Sequence, residues 1–168
     1  MVNLRLNRFE RITRKAYCFT QVEARDLDIQ HPFEQRDIHD SLPKIVRTLF
    51  DNGHYSQATF ESFKYLDKLI QRITTSNESG FKLMMQVFSG TPPGVILTAN
   101  STTSEQDEQK GFQFVFAGAM LAIRNPRGHE YSINDSPDQC LDHLSLASLL
   151  LRRLEQAGYK VQQIKSKT

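Results

Sequence analysis

A chain of 168 residues with 39% hydrophobic and 24% charged side chains has room for one domain with a proper core and is too apolar for wholesale disorder. A formal net charge of only +2 excludes a uniformly basic nucleic-acid binder, so affinity for a polyanion has to come from local patches. The two distant cysteines, Cys18 and Cys140, have no C-x-x-C or Cys/His spacing; they suit a reducing compartment and give no basis for zinc, and no apolar run approaches the ~20 residues that span a bilayer.

In the first twenty residues Arg5, Arg8, Arg11, Arg14 and Lys15 face a single acid, Glu10. A spacing of three sets the arginines on one helix flank beside Leu6, Phe9 and Ile12, as in a solvated amphipathic helix or an extended arm; a transit peptide or an RNA-contacting arm are the alternatives. The apolar periodicity lapses over Gln30–Gln35, and His31-Pro32 interrupts regular structure. The expected division is an N-terminal extension over 1–35 and a helical domain over 36–168.

The first core helix is expected from Asp40 or Ser41, with Pro43 in its opening turn and Asn52-Gly53 as its stop. A second helix follows over His54–Thr74, and so short a link makes the two antiparallel neighbours. Asn77–Gly80 reads as a turn, Phe81–Phe88 as a short helix, and Gly90-Thr91-Pro92-Pro93-Gly94 as a loop. The third long helix has Thr103 or Ser104 for a cap, with Gln106 or Asp107 completing a capping box. Its core stripe is Phe112, Val115, Phe116, Ala119, Met120 and Ile123, while Gly111, Ala117, Gly118 and Ala122 leave space for a second helix to approach. Pro126 is expected to end it, with Asn125 biased out of the helical region. The last long helix opens at the capping box Ser136-Pro137-Asp138-Gln139 and runs to Gln156. Leu141, Leu144, Ala147, Leu151 and Leu154 fill one face, but Leu146, Leu149 and Leu150 point in other directions. A helix apolar over most of its circumference is covered from more than one side, so a homodimer is expected.

The stretch Arg124-Asn125-Pro126-Arg127-Gly128-His129 combines a permanent cation with a side chain type that titrates near neutrality, one able to hold a phosphate and the other to move a proton. Cleavage of RNA through the ribose 2′-hydroxyl makes those two demands. His129 would take the 2′-hydroxyl proton or give one to the leaving 5′-oxygen, a contribution of typically ~10²–10⁴-fold. Arg124 would stabilise the charge that grows on the phosphorane-like transition state, and Asn125 would hydrogen-bond the phosphate or orient the imidazole. One histidine does not easily serve both sides of the phosphate, whereas two Arg/His sets in a dimer would. The plainer reading is a helix stop, with basic residues complementing the dipole and His129 a loop histidine. Lys110, Arg127, Arg152 and Arg153 are candidate contacts to RNA backbone or else solvated surface charge. Glu61 and Lys64 are spaced to line a groove or to form a solvated i, i+3 pair. His31, His39 and His143 lack metal-ligand spacing, H-E-x-x-H is absent, and there is no phosphate loop or dinucleotide fingerprint; no metal and no cofactor are expected.

From about Ser41 to Leu154 the chain resembles the Ymh-type family of conserved prokaryotic and phage-associated proteins, related to the HEPN superfamily. The segments that carry this are Leu49-Phe50-Asp51-Asn52-Gly53-His54-Tyr55-Ser56-Gln57-Ala58, Phe60-Glu61-Ser62-Phe63-Lys64, Ser104–Phe112, Phe116–Ala119, Arg124–Glu130 and Leu146–Leu154, in that order. The resemblance implies an all-α, HEPN-like helical bundle that dimerises. Arg124, Asn125 and His129 match its R-x(4–6)-H form with a polar residue after the arginine; where that form commonly has alanine before the histidine, this chain has Gly128, which adds backbone freedom. The implied activity is metal-independent endoribonuclease cleavage leaving a 2′,3′-cyclic phosphate and a 5′-hydroxyl. The implied setting is cytoplasmic, as a toxin or an antiviral, abortive-infection effector with an antitoxin or activator partner and no membrane association. A non-catalytic HEPN-like module that binds nucleotide, RNA or protein within a defence or phage system is the alternative.

Overall fold

The computed structural model describes residues 30–130 and 132–162, together with Ile12. The helices are α1 (Pro32–Gln35), α2 (Lys44–Asp51), α3 (Tyr55–Thr74), α4 (Gly80–Val87), α5 (Thr103–Ala119), a π-helical turn (Met120–Arg124), α6 (Asn125–His129) and α7 (Pro137–Gln156). The fold is an all-α bundle; the described residues hold no strand, only an isolated bridge between Gly90 and Pro93. The chain divides after His31, and Pro32–Thr168 forms a compact unit of its own. Phe33 explains why α1 belongs to that unit: its ring lies 5.2 Å from Phe50 of α2. The arginine-rich segment expected to be a helix or an arm lies outside the described residues.

The core is organised around α3. It buries Ala58, Phe63, Leu66, Leu69 and Ile70 against α2, α7 and α6, the last through the π turn as well, while α4 packs on α5. Asn52 and Gly53 end α2 as expected, Gly53 with φ +78°, and the next helix begins two residues later. The capping box at Ser136 and Gln139 is present with Pro137 at the first helical position.

The packing bears on two expectations. Along α7, Leu150 is fully buried and Leu146 packs on the core, leaving only Leu149 of the three extra leucines exposed. Residues 36–42 of the same chain lie along α7 and cover part of it. Arg36 pairs with Asp142, the amide of His39 donates to Ser148 Oγ at 3.0 Å, the His39 ring meets Glu155, and Arg152 reaches Asp37. On α5, Val115 is exposed, and Gln109 and Gln113 are buried instead. Gln109 donates to the carbonyls of Phe88 and Val95 and accepts from the Leu97 amide at 2.7 Å. The loop after α4 has no regular partner for its buried backbone, so a long amide side chain satisfies it. The cap of α5 is Thr102, one residue earlier than expected, because Glu105 at the third helical position returns to the Thr102 amide.

Candidate functional site

The site begins with a proline that does not stop a helix. Asn125 has helical dihedrals, φ −63° and ψ −46°, and the chain stays helical until Glu130 turns extended. The expected break at Pro126 is therefore absent. Proline has no amide to donate, and its ring crowds the carbonyl four residues back. The Met120–Arg124 turn answers this by widening: the Asn125 amide reaches Met120 oxygen, five residues back, which is the π register. As a result α5, the π turn and α6 form one rod, with Arg124, Asn125 and His129 all on its final turns.

Arg124 is half-buried and faces α3. Its guanidinium carbon lies 5.5 Å from the centre of the Phe60 ring, and Nη1 donates to Asn125 Oδ1 at 3.1 Å. Nε is buried with no hydrogen-bond partner. Among the described residues no carboxylate pairs with Arg124, so its charge is held in position by an aromatic face and an amide and is not neutralised. The first residue of α4 closes the other side: a Cβ on Gly80 would lie 4.0 Å from both Arg124 Nη1 and Asn125 Oδ1. Gly80 has φ +63° and donates its amide to the buried Asp67 at 2.7 Å.

His129 is the last residue of α6 and is exposed. It shares no hydrogen bond with Arg124 or Asn125 among the described residues. Five residues of α-helix rotate a side chain by about 140°, so one chain turns the guanidinium inward and leaves the imidazole at the rod's outer end. The intervening Gly128 is helical, and a Cβ there would fall 2.9 Å from Phe60 Cε2. Its role is to let the ring touch the backbone, in place of the backbone freedom expected from the sequence.

The four cations expected on RNA separate into two kinds. Arg127 is buried and committed: Nε donates to Asp135 Oδ2 at 2.7 Å, Nη2 to Asp135 Oδ1, and Nη1 to the Ile123 carbonyl at 2.8 Å. Burial opposes ionisation of Asp135, but the hydrogen bonds and charge of Arg127 overcome it and hold the carboxyl below the usual aspartate range. Burial, followed by the charge of Arg127, lowers the pKa of neighbouring His143. The backbone amide of Asp135 also donates to Ser56 Oγ at 2.7 Å, so this pair pins α6 to the start of α3 and to the turn before α7. Arg127 is thus a structural cation. Arg153 likewise bonds the Leu97 carbonyl and Glu108 and covers Phe112, and Arg152 holds Asp37. Of these four cations only Lys110 is exposed with no acidic partner among the described residues; it edges a cavity of about 790 Å³ with Ile96, Pro92 and Gln106.

Sequence reasoning missed Phe60 and Asp135. Phe60 sits one position outside the regular core spacing of its helix, and Asp135 precedes a cap residue, so each reads as local. No group of three or more His, Cys, Asp or Glu that could hold a metal occurs among the described residues, and no described helix is long and apolar enough to cross a membrane. A family model described as "Protein of unknown function (Hypoth_ymh)" matches residues 36–154. No curated protein and no solved structure matches the chain.

Proposed function

The chain belongs to the Hypoth_ymh family; from the Arg124/His129 motif and its resemblance to HEPN proteins we propose that it is a homodimeric, metal-independent endoribonuclease, with Arg124 and His129 as its catalytic pair. The observation that carries this reading is the contrast among the arginines. Arg127, Arg152 and Arg153 each hold a carboxylate, whereas Arg124 has none among the described residues and is fixed over Phe60. A positioned guanidinium without a counter-ion suits a phosphate.

In this reading His129 removes the 2′-hydroxyl proton, the 2′-oxygen attacks phosphorus, and the bond to the 5′-oxygen breaks as a protonated His129 of the second protomer gives that oxygen its proton. The products are a 2′,3′-cyclic phosphate and a 5′-hydroxyl. Arg124 stabilises the charge on the non-bridging oxygens, and Asn125 keeps the guanidinium turned toward them. The outward position of His129 favours a site completed across a two-fold axis. An exposed small and apolar stripe supports that assembly: Gly111, Val115, Gly118 and Ala122, flanked by Phe114 and Leu121, face open solvent on α5 and the π turn. His129 follows Ala122 by seven residues, about two turns, at the end of this stripe. A C2 contact along it, with the axis parallel to the rods, brings the two rods and hence two Arg124/His129 sets alongside each other. A toxin or antiviral effector in the cytoplasm, held by an antitoxin or released by an activator, is the role such an enzyme would serve.

The test is incubation of single-stranded and structured RNAs with the protein in EDTA, beside His129→Ala. Cleavage by the parent and not by the variant supports the enzyme. Equal cleavage by the two removes His129 from catalysis, and RNA binding with no cleavage by either supports the non-catalytic binding module.

A further inference from the structure

The ring that holds Arg124 also holds a second cation. Lys64, one turn along α3 from Phe60, places Nζ 5.7 Å from the same ring centre that lies 5.5 Å from the Arg124 guanidinium carbon. Two like charges on one small aromatic surface repel, and the compensation comes from Glu61, whose two oxygens accept from Lys64 Nζ at 2.9 and 3.2 Å. The next carboxylate along α3, Asp67, is buried and bonded to the Gly80 amide. Glu61 therefore offsets Lys64 alone, and Arg124 keeps no carboxylate among the described residues. A solvated i, i+3 pair accounts for the Glu61–Lys64 contact by itself. It does not account for its placement on the ring that positions an uncompensated arginine. Both partners are reachable by solvent, with 45% of the Lys64 and 26% of the Glu61 side chain exposed, and an exposed pair of this kind is weak enough for a stronger anion to displace.

We propose that Lys64 is a second phosphate-binding residue of the Arg124 site, and that Glu61 occupies it until the backbone of a single-stranded RNA displaces the carboxylate. Arg124 then takes one phosphodiester and Lys64 a neighbouring one, with Phe60 as the shared floor. The inference rests on the nuclease reading only for the identity of the polyanion. Lys64 is a binding residue here and touches no reacting atom.

The experiment measures binding of a fluorescent single-stranded RNA to the His129→Ala protein by anisotropy across 50–200 mM salt, with Lys64→Gln, Lys64→Arg and Glu61→Gln added to that background. Cleavage by the His129-containing parent is measured alongside. Loss of one phosphate contact lowers the slope of log K against log salt by about 0.7 for a single strand, so Lys64→Gln binds more weakly and loses roughly 2.5-fold of its salt sensitivity over that range. Lys64→Arg keeps the slope. Glu61→Gln tightens binding by about threefold, the scale of an exposed ion pair released; a purely structural pair would show loss or no change in both variants. Unchanged affinity and slope in Lys64→Gln, with parental cleavage that needs His129, overturns the lysine site and leaves the nuclease. Weakening by Lys64→Gln without tightening by Glu61→Gln overturns the covering role of Glu61. The predicted binding changes with no parental cleavage overturn the nuclease and keep the phosphate site. No RNA binding by any variant overturns both.

Discussion

Replacing Gly128 by alanine tests the close contact on which the Arg124 environment depends. A Cβ at this position lies 2.9 Å from Phe60 Cε2, against an optimal carbon–carbon separation of about 3.5–4.0 Å. The ring has to move by about 0.6–1.1 Å to restore that separation. Overpacking of this sort costs about 1–3 kcal/mol, and Phe60 is half-buried, free to tilt toward solvent, which sets the cost near the lower end. Alanine gains about 0.8–1.0 kcal/mol of helix propensity over glycine. The two nearly cancel, so unfolding stability should change by less than about 1 kcal/mol. Arg124 follows the ring, and displacement of a charge-stabilising group by ~1 Å can lower turnover on the order of 10²-fold. The expected signature is a protein that unfolds in urea much like the parent but cleaves RNA far more slowly. A Phe60→Leu, Gly128→Ala pair supplies a readout independent of activity: with the ring gone, alanine should show its full propensity gain. Strict additivity of the two substitutions, within about 0.5 kcal/mol, would refute the contact.

Other positions give equally direct outcomes. Asp135→Asn leaves the Arg127 guanidinium, 9% exposed, without its counter-ion; breaking a buried pair in this way costs about 3–5 kcal/mol, measured by urea unfolding at neutral pH, and a loss below about 1 kcal/mol would contradict the structural role of Arg127. The same pair has a pH signature. Since the folded-state pKa of Asp135 is depressed, its stabilisation is complete above the ordinary aspartate value of ~3.9 and fades as pH falls through the lower folded value. The stability gap between parent and Asp135→Asn should therefore hold from pH 7 to 5 and narrow on further acidification; a gap that widens in acid would be inconsistent. Leu121→Asp, in the π turn beside the exposed stripe, should convert a dimer to a monomer in sedimentation equilibrium, while Leu149→Asp on α7 should not. Dissociation by the second variant and not the first would move the interface to α7.

The bundle was legible wherever one helix's own residues decide the outcome. The caps at Ser136 and Asn52-Gly53, the period of α3 and the proline–glycine loop after α4 all depend on chemistry within a few positions. Where outcomes depend on distant partners, local rules pointed elsewhere. Pro126 is a helix breaker by its own chemistry, but a π turn placed just before it keeps the rod continuous. Gln109 reads as surface because nothing near it in sequence shows the unpaired Leu97 amide and the Phe88 and Val95 carbonyls it serves. The leucine-rich circumference of α7 did indicate multiple covers, and residues 36–42 of the same chain provide one of them. At the site, Arg124, Asn125 and His129 were visible as a short motif. The commitment of Arg127 to Asp135 was not, because an arginine and an aspartate eight positions apart in turn-like sequence carry no periodic signal. Phe60 was hidden for the same reason, since its contacts to Arg124 and Gly128 cross from α3 to the rod.

The central claim, that Arg124 and His129 cut RNA through its own 2′-hydroxyl, is tested most directly by the ends of the products. An end-labelled RNA cleaved by the protein in EDTA should yield a 2′,3′-cyclic phosphate and a 5′-hydroxyl. The same RNA with a 2′-O-methyl group at the scissile position should stay intact, as should the unmodified RNA with Arg124→Ala or His129→Ala. Products ending in a 3′-hydroxyl and a 5′-phosphate, or cleavage indifferent to the 2′-O-methyl group, would contradict it.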